Sequence, residues 1–416
     1  MTQTTIRPVT EDDYPRWAEV VADAQGRDHT PESQRRMRRS LDLSRTLGAF
    51  DGPAPVGGIA AISREMTLPG GLTQPVAGIG CAAVAPTHRR QGIFAQLIRR
   101  LFTDLHHQGT EPIAVLNSSH AEVYSRFGFG MASQSAMLEG DTRFMDFRPD
   151  VEPGAGQVRA VTPEDASSLL KRVHHRARRI QVGWAERSDA AWDRFLFDAE
   201  LPQYGMTRMR YVIHWDPEGM PQGYALYRFA VSMGPDGRER TRLVVPEVVA
   251  VTRSAHARLW RFLLDLDAAD HVSAQCAPDE PVQYMVEDPA ALTWSMRDAF
   301  AVRLVDVQRA LSARRYSAPC DVVFEVTDHL CEWNHDRFRL QADASGVMCV
   351  RTREQPDLLL NVQALGAAFL GGTSLVSLAL AGRVVAIKPA ALQSASVALR
   401  GFRDPWCPSG GGWPWY

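Results

Sequence analysis

The feature that most constrains the fold is a strand, a basic loop and a helix that follow one another near residue 90. The apolar run Val76–Val84 leads into the loop, and the segment Ile93–Leu105 follows it. Apolar side chains in that segment recur at the spacing of one helix face, which predicts a buried amphipathic helix. The first amides of a helix have no intrahelical partners, and the helix dipole favours anions there. The sequence therefore predicts an anion site where the loop meets the helix.

The loop adds positive charge and backbone freedom at this point. Arg89 and Arg90 supply two adjacent cations, and Gly92 allows the backbone to approach a ligand closely. Because arginine binds phosphate oxygens through paired N–H donors, we predict that the loop holds a pyrophosphate. The backbone amides that we expect to take part are those of Gln91, Gly92, Ile93, Phe94 and Ala95.

A later part of the chain echoes this pattern. The segment Val158–Asp165 resembles Ile6–Asp13, and Val248–Leu264 can be laid on Cys81–Leu97. In that alignment Leu259 replaces the loop glycine, and the adjacent arginine pair is absent. We predict a tandem repeat whose second anion loop has lost its chemistry. Chance similarity between short strings is the alternative.

The remaining chain suggests a third domain. With 416 residues, and about 100–200 residues per domain, two to four domains are expected. Proline, glycine and acidic residues mark Pro149–Gly156 as a linker. After Ala301 the pattern predicts an α+β domain, in which Asp306–Tyr316 is helical. We interpret the apolar segment Leu358–Ala381 as a buried helical region rather than a membrane span, because it contains polar residues and several glycines.

Charge and cysteine content exclude several classes of function. The net charge of −2 gives no support to a nucleic-acid partner. The 6 cysteines include no CxxC pair, which argues against a zinc site and a disulfide framework, so no metal is expected. This cysteine usage suits a reducing cytoplasm. The first residues lack an apolar segment, so no conventional signal peptide is predicted.

Three motifs carry a resemblance to a known family. They are Val-Ala-Pro-Thr-His-Arg-Arg-Gln-Gly at residues 84–92, Val-Tyr-Ser-Arg-Phe-Gly-Phe-Gly at 123–130 and Gly-Tyr-Ala-Leu-Tyr-Arg at 223–228. The first partly matches the acetyl-CoA loop of GNAT acyltransferases. Together the three closely resemble the Eis-type ("enhanced intracellular survival") N-acetyltransferases, over nearly the whole chain.

The resemblance implies an α/β (α+β) fold with tandem GNAT domains followed by a sterol-carrier-protein-like domain. We expect the catalytic domain at residues 1–150, a degenerate second GNAT domain at 157–298 and the third domain at 299–416. The resemblance further implies a homohexamer built as a trimer of dimers, with no membrane span.

Acetyl-CoA is the co-substrate that these residues suit. The backbone of Ala82, Ala83 and Val84, at an exposed strand edge, can hold the pantetheine and offer an N–H to the thioester oxygen. The arginine loop can hold the pyrophosphate. The resemblance adds Ser119 and His120 to the cofactor-binding residues.

Tyr124 is the candidate general acid. A phenol has a reference pKa of about 10, so it is protonated at neutral pH and can donate to a leaving thiolate. The alternative is a tyrosine that only packs its short helix against the sheet. The resemblance favours the catalytic role.

The candidate base comes from the other end of the chain. The resemblance implies that the α-carboxylate of Tyr416 reaches back into the first domain's cleft. Its reference pKa of about 3.5 makes direct abstraction from an ammonium weak, so a water relay or electrostatic positioning is more credible. In the resembled family, acidic residues near the carboxy-terminus usually contact the polyamine acceptor. Here no acidic residue lies nearer to that end than Asp404. This departure bears on how many different acceptors the protein can use.

The function predicted is acetyl transfer from acetyl-CoA to amines of polyamine small molecules, with aminoglycosides as the type acceptor, by direct attack on the thioester. Two alternatives stay open. One is acetylation of protein lysines. The other is a non-enzymatic assembly protein that binds CoA or lipid.

Overall fold

A computed structural model describes residues 4–27, 30–117, 121–196, 205–233 and 239–408. Three units follow one another along the chain: a first unit (residues 4–144), a second unit (157–304) and a third unit (307–408). The first two share one 12-stranded sheet, and the third has a 5-stranded sheet of its own. The predicted α/β (α+β) fold class is confirmed.

The first unit alternates strands and helices. Its elements are β1 (Thr5–Pro8), α1 (Tyr14–Ala24), α2 (Pro31–Arg39), β2 (Thr46–Asp51), β3 (Ala54–Thr67), β4 (Thr73–Val84), α3 (Ile93–Gln108), β5 (Ile113–Asn117), α4 (Ala121–Ser125) and β6 (Gly130–Asp141).

The second unit repeats that order with different loop lengths. Its elements are β7 (Gln157–Val161), α5 (Pro163–Arg178), α6 (Asp189–Phe195), β8 (Arg210–Trp215), β9 (Pro221–Met233), β10 (Glu239–Ala250), α7 (Arg253–Leu264), β11 (His271–Cys276) and β12 (Leu292–Leu304).

The third unit packs helices on one small sheet. Its elements are α8 (Val307–Ser312), β13 (Cys320–Thr327), β14 (Asp336–Ala342), β15 (Val347–Arg351), β16 (Leu358–Asn361), α9 (Val362–Ala368), α10 (Leu375–Leu380), β17 (Val384–Ala386) and α11 (Pro389–Leu399).

The first two units exchange strands. The large sheet runs β1-β2-β3-β4-β5-β12-β6-β11-β10-β9-β8-β7. Strand β12 thus lies between β5 and β6 of the first unit, and β6 lies between β12 and β11 of the second. Each unit therefore completes its part of the sheet with a strand from the other. The domain boundary that we predicted at residues 298 and 299 falls inside β12.

Helices cover both faces of the sheet beside β4. On one face α3 buries Leu97, Leu101 and Leu105, which confirms its predicted apolar stripe. On the other face α1 places Trp17 against β3. A Cβ at Gly58 would lie 2.3 Å from the Trp17 indole nitrogen, so only glycine permits this close approach. The two helix layers fix the orientation of β4, which leads to the basic loop.

Two secondary-structure predictions for the third unit were wrong in part. The segment Leu358–Ala381 begins with a strand, because Leu358 and Leu360 alternate inward and pair in parallel with β13. A short apolar run does not by itself distinguish a strand from a buried helix. The helix predicted over Asp306–Tyr316 ends at Ser312, where Ala313 is its C-cap. No helix of the described residues is long and apolar enough to cross a bilayer.

Candidate active site

The cleft begins where β4 and β5 separate. Their parallel pairing is confined to two residue pairs and ends at Gly78 and Val115. Strand β4 continues to Val84 and carries a bulge, at which Cys81 has a positive φ of 54°. A bulge inserts an extra residue and bends the strand locally. Beyond Gly78 the edge of β4 that faces away from β3 is therefore available to a ligand.

The loop between β4 and α3 presents unpaired amides to this opening. Arg90 and Gly92 have φ values of 63° and 79°. The first helical hydrogen bond of α3 runs from the Gln96 amide to the Gly92 carbonyl, so the amides of residues 93–95 precede it. Gly92 is the N-cap and provides no side-chain cap. These amides can bind an anion.

The positive φ, rather than crowding, favours glycine at position 92. A Cβ there would lie 4.0 Å from Gln96 Nε2, its nearest neighbour. The space above the helix N-terminus is thus open on the protein side, and a non-glycine residue in the left-handed region is strained.

The two loop arginines have different roles. Arg89 Nη2 donates to the Ala24 carbonyl at 2.9 Å and its Nε donates to the Val84 carbonyl at 3.3 Å, which ties the end of α1 to the end of β4. Arg90 is exposed and makes no hydrogen bond or ion pair with a described residue. Arg90 is therefore the more available cation for a phosphate.

These elements enclose a cleft of about 880 Å³, which is large enough for a cofactor. Four arginines and one histidine line it, and no carboxylate does so among the described residues. Such a lining favours a ligand that carries phosphates. The lining residues predicted from sequence are Ala82, Ala83, Val84, Arg89, Arg90, Gly92, Ile93, Phe94, Ala95 and Tyr124.

Other lining residues were not predicted. They are Ala24, Gln25, Arg27, His88, Asn117, Val123, Arg126 and Phe127. Arg126 could have been found, because it lies within the motif that contains Tyr124. Arg27 follows the end of α1 and carries no sequence signal of its own. Gln91 is exposed beside the cleft without lining it, while Ser119 and His120 lie outside the described residues.

Tyr124 lies on α4, opposite the N-terminal end of α3. Its ring makes edge contacts with Phe94 and Phe129, at centroid distances of 5.8 and 6.0 Å. Burial raises the pKa of Tyr124 to about 12, so its hydroxyl stays protonated at neutral pH. It is thus a hydrogen-bond donor at the cleft wall.

The last described segment of the chain docks between the first two units. Trp406 and Cys407 are buried. Arg187 Nη2 donates to the Pro408 carbonyl at 3.0 Å, and this guanidinium forms a fully buried pair with Glu247. Tyr416, the predicted base, lies outside the described residues.

The corresponding junction of the second unit differs from our prediction. Strand β10 ends at Ala250 and α7 begins at Arg253, so only residues 251 and 252 connect them. Leu259 lies in the middle of α7 and does not occupy the place of the loop glycine. The alignment was wrong because it carried no gap. The second unit lacks the loop itself.

The helix start of α7 is also closed. The Thr252 hydroxyl accepts a hydrogen bond from the Ala255 amide at 3.2 Å. A Cβ at Gly154 would lie 2.3 Å from Ser254 Oγ, so the linker packs against this helix end. Arg258 Nε donates to the Gly154 carbonyl at 2.8 Å. In the second unit the linker and Thr252 therefore occupy the helix start, which is open to a ligand in the first unit.

No group of three or more potential metal ligands occurs within the described ranges. The arrangement in the first unit offers amides and arginines for phosphates, a strand edge for an extended chain and a phenol at the wall.

Comparison with known families matches all three units. Residues 5–132 match a model described as an acetyltransferase (GNAT) domain, and residues 183–304 match a second model of the same description. Residues 307–408 match a sterol carrier protein domain. The three predicted kinds of domain are thus confirmed.

Relatives align over almost the whole chain. An uncharacterised N-acetyltransferase of Streptomyces avermitilis is 39% identical over 412 residues, covering 98% of this chain and 99% of its own. The N-acetyltransferase Eis of Mycobacterium tuberculosis is 31% identical over 400 residues, covering 92% and 93%. The crystal structure of Eis1 from Mycobacterium abscessus has a TM-score of 0.85 at 31% identity, covering 97% and 99%.

Proposed function

Because the chain belongs to the Eis family of GNAT N-acetyltransferases, we propose that its first unit carries acetyl from acetyl-CoA to an amine of a multi-amine small molecule, an aminoglycoside being the type acceptor. The amine attacks the thioester directly. The observation that carries the proposal is that Tyr124 lines the same cleft as the open helix start of α3.

The acetyl-CoA half of the site is the better supported half. A GNAT domain implies acetyl-CoA as the co-substrate. The amides of residues 93–95 and Arg90 hold the pyrophosphate, and the edge of β4 at Ala82–Val84 holds the pantetheine. An amide of that edge polarises the thioester carbonyl.

Tyr124 stabilises the leaving thiolate. A thiol has a reference pKa of about 8.5, whereas burial raises the pKa of Tyr124 to about 12. Complete proton transfer to a free thiolate is therefore uphill, by roughly 3 pKa units. Hydrogen-bond donation to the charge as it develops is the role that these values favour. The proton lost by the amine neutralises the thiolate afterwards.

The Tyr416 carboxylate takes up that proton through water. Residues 409–416 follow Pro408, whose carbonyl is fixed by Arg187. Fully extended, this tail would span at most about 26–29 Å. That length is the upper limit on the distance from Pro408 at which the carboxylate can act.

The acceptor half carries an unusual charge. The described lining is cationic, which suits the phosphates of CoA and works against a polycation. Asp23 is exposed in the last turn of α1, next to lining residues Ala24 and Gln25, and can attract an amine. Cationic walls would narrow the acceptor range, so aminoglycosides that carry fewer amino groups should be preferred to those that carry more.

The protein also self-associates under this proposal, as a homohexamer. Exposed apolar side chains on the third unit support it: Leu380 is 86% exposed and Phe402 is 102% exposed, and Val397 is exposed as well. Burial of such side chains against a second copy of the chain would stabilise an assembly. Light scattering should show a hexamer, and Leu380→Lys with Phe402→Ser should reduce it to a smaller species.

Release of free CoA across an amine panel tests the transfer. The panel contains kanamycin, neomycin, spermidine and a lysine peptide, each with acetyl-CoA. Turnover with aminoglycosides and acetylated products by mass spectrometry are expected. Turnover of the peptide alone would favour protein acetylation. A chain extended by one residue after Tyr416 should lose most activity, and full activity would remove the carboxylate from the mechanism.

A further inference from the structure

A buried arginine on the exchanged strand holds the end of the helix that carries Tyr124. Arg303 lies on β12, and its side chain is fully buried. Its Nε donates to the Phe127 carbonyl at 2.9 Å, and its Nη2 donates to Asp328 Oδ2 at 2.6 Å. Arg303 therefore connects the active-site helix to a carboxylate of the third unit.

The bond reaches the place where α4 ends. Helix α4 spans only Ala121–Ser125, and a helix this short has little stability of its own. The Phe127 amide donates to the Tyr124 carbonyl at 2.9 Å, so Phe127 closes the turn that Tyr124 begins. Fixing the Phe127 carbonyl thus fixes the backbone of Tyr124.

Close packing leaves this turn no room to shift toward β12. A Cβ at Gly128 would lie 2.7 Å from Arg303 Nε and 2.8 Å from Cγ1 of Val362, on α9. The turn thus rests on Arg303 and on the third unit together.

Asp328 is held as firmly as the arginine that it pairs with. Its Oδ1 accepts from the Leu330 and Cys331 amides, both at 3.1 Å, and its Oδ2 also accepts from Asn334 Nδ2 at 3.1 Å. Burying a guanidinium away from water is costly, and pairing with Asp328 offsets that cost for Arg303.

We propose that Arg303 is a positioning residue for acetyl transfer. It holds the Tyr124 hydroxyl against the cleft, and the third unit supplies Asp328 to keep Arg303 in place. The inference rests on the proposed role of Tyr124. It gives the sterol-carrier-like unit a part in the chemistry of the first unit that requires no lipid.

The test is Arg303→Lys in the full chain, with Arg314→Lys as the matched control. Arg314 is equally buried, and its Nη2 bonds the Leu399 carbonyl at 2.8 Å in the third unit, away from α4. Arg303→Lys should lower kcat by about 10- to 100-fold at saturating acetyl-CoA, since small displacements of a catalytic group have effects of this size. Arg314→Lys should lower Tm and leave kcat within about twofold.

A double-mutant cycle separates positioning from stability. If Arg303 acts through Tyr124, Arg303→Lys adds no further loss of kcat to Tyr124→Phe. Losses that multiply, or a kcat loss no larger than that of Arg314→Lys, would overturn the proposal. Asp328→Asn, which keeps the size of the side chain, repeats the test if the lysine variant does not fold. Full activity of Tyr124→Phe would instead defeat the proposed acid, whatever Arg303→Lys does.

Discussion

The first two units build the same junction of strand and helix and use it in opposite ways. In the first, residues 85–92 separate β4 from α3, and Gly92 leaves the helix start uncapped. In the second, residues 251–252 join β10 to α7, and Thr252 caps the helix with its own hydroxyl. The helix start in the first unit is open to an anion, whereas a side chain of the chain itself caps the helix start in the second.

The difference assigns the proposed chemistry to a loop rather than to the fold that both units share. Both units keep a parallel strand pair at this place, β4 with β5 and β10 with β11. What the second unit lacks is the basic loop and the free amides behind it. A GNAT unit without that loop remains a good structural element and has no place for a pyrophosphate.

The largest expected effect comes from removing one hydroxyl in the first unit. Tyr124→Phe should lower kcat by at least about 100-fold, the usual range for losing a preorganised hydrogen-bond donor to a developing charge. The KM for acetyl-CoA and the Tm should change little, because the ring contacts with Phe94 and Phe129 remain. Steady-state kinetics measures both.

The matched control for that variant is Tyr227→Phe, at a buried tyrosine of the second unit. Its kcat should equal that of the unmodified protein. If both variants lose kcat equally, the loss in Tyr124→Phe does not indicate chemistry that belongs to the first unit alone.

The next largest effect is expected from backbone strain at Gly92, in the loop that precedes α3. Gly92→Ala places a side chain on a φ of 79°, which costs about 1–2 kcal/mol and raises the KM for acetyl-CoA by about 5- to 30-fold. Thr252→Ala in the second unit should cost about 1 kcal/mol of unfolding free energy through the lost cap and leave KM unchanged. A shift of KM in the second variant would contradict this assignment.

A smaller effect is expected from replacing Arg90, the exposed arginine of the loop. Arg90→Ala should raise the KM for acetyl-CoA by a few-fold, in line with about 1 kcal/mol for an exposed charge pair. This increase in KM should be smaller at high salt, because salt screens exposed charges. Arg253→Ala, at the start of α7, should leave the KM unchanged at every salt concentration tested.

The remaining prediction concerns stability alone, not catalysis, and lies in the second unit. His174 is packed between Trp184 and Trp192, and burial holds its pKa well below the usual value. As the pH falls, His174 is therefore protonated in the unfolded chain at a higher pH than in the folded protein. The free energy of unfolding decreases below about pH 6.5, by roughly 1.4 kcal/mol at pH 5.5.

Thermal unfolding between pH 7.5 and pH 5.5 measures this loss. His174→Phe should flatten the dependence on pH, whereas His175→Phe, at an exposed neighbour, should preserve it. An unchanged slope in His174→Phe would assign the acid sensitivity to other groups.

The open junction was predictable because its signals are local. The helix predicted over Ile93–Leu105 is α3, Ile93–Gln108, and Gly109 closes it with a φ of 63°. The anion loop and Tyr124 each lie within a short motif, and the cleft contains them as the sequence indicated.

Long-range features were not predictable by the same means. The exchange of β6 and β12 joins residues that are far apart in sequence, and alternating apolar patterns do not specify which strand pairs with which. The short junction of the second unit escaped notice because an ungapped overlay keeps loop lengths equal. Arg303 reads as an interruption of an apolar strand, and only its contacts with Phe127 and Asp328 explain it.

The exchanged strands bear on how this chain could have evolved. After a duplication, a copy that loses its activity is usually free to be deleted. Here deletion of the second unit would remove both β11 and β12 and leave one edge of β5 and both edges of β6 unpaired, which invites aggregation. Under the proposed division of roles, the second unit is retained as a donor of structure, and selection on it acts through the folding of the first unit.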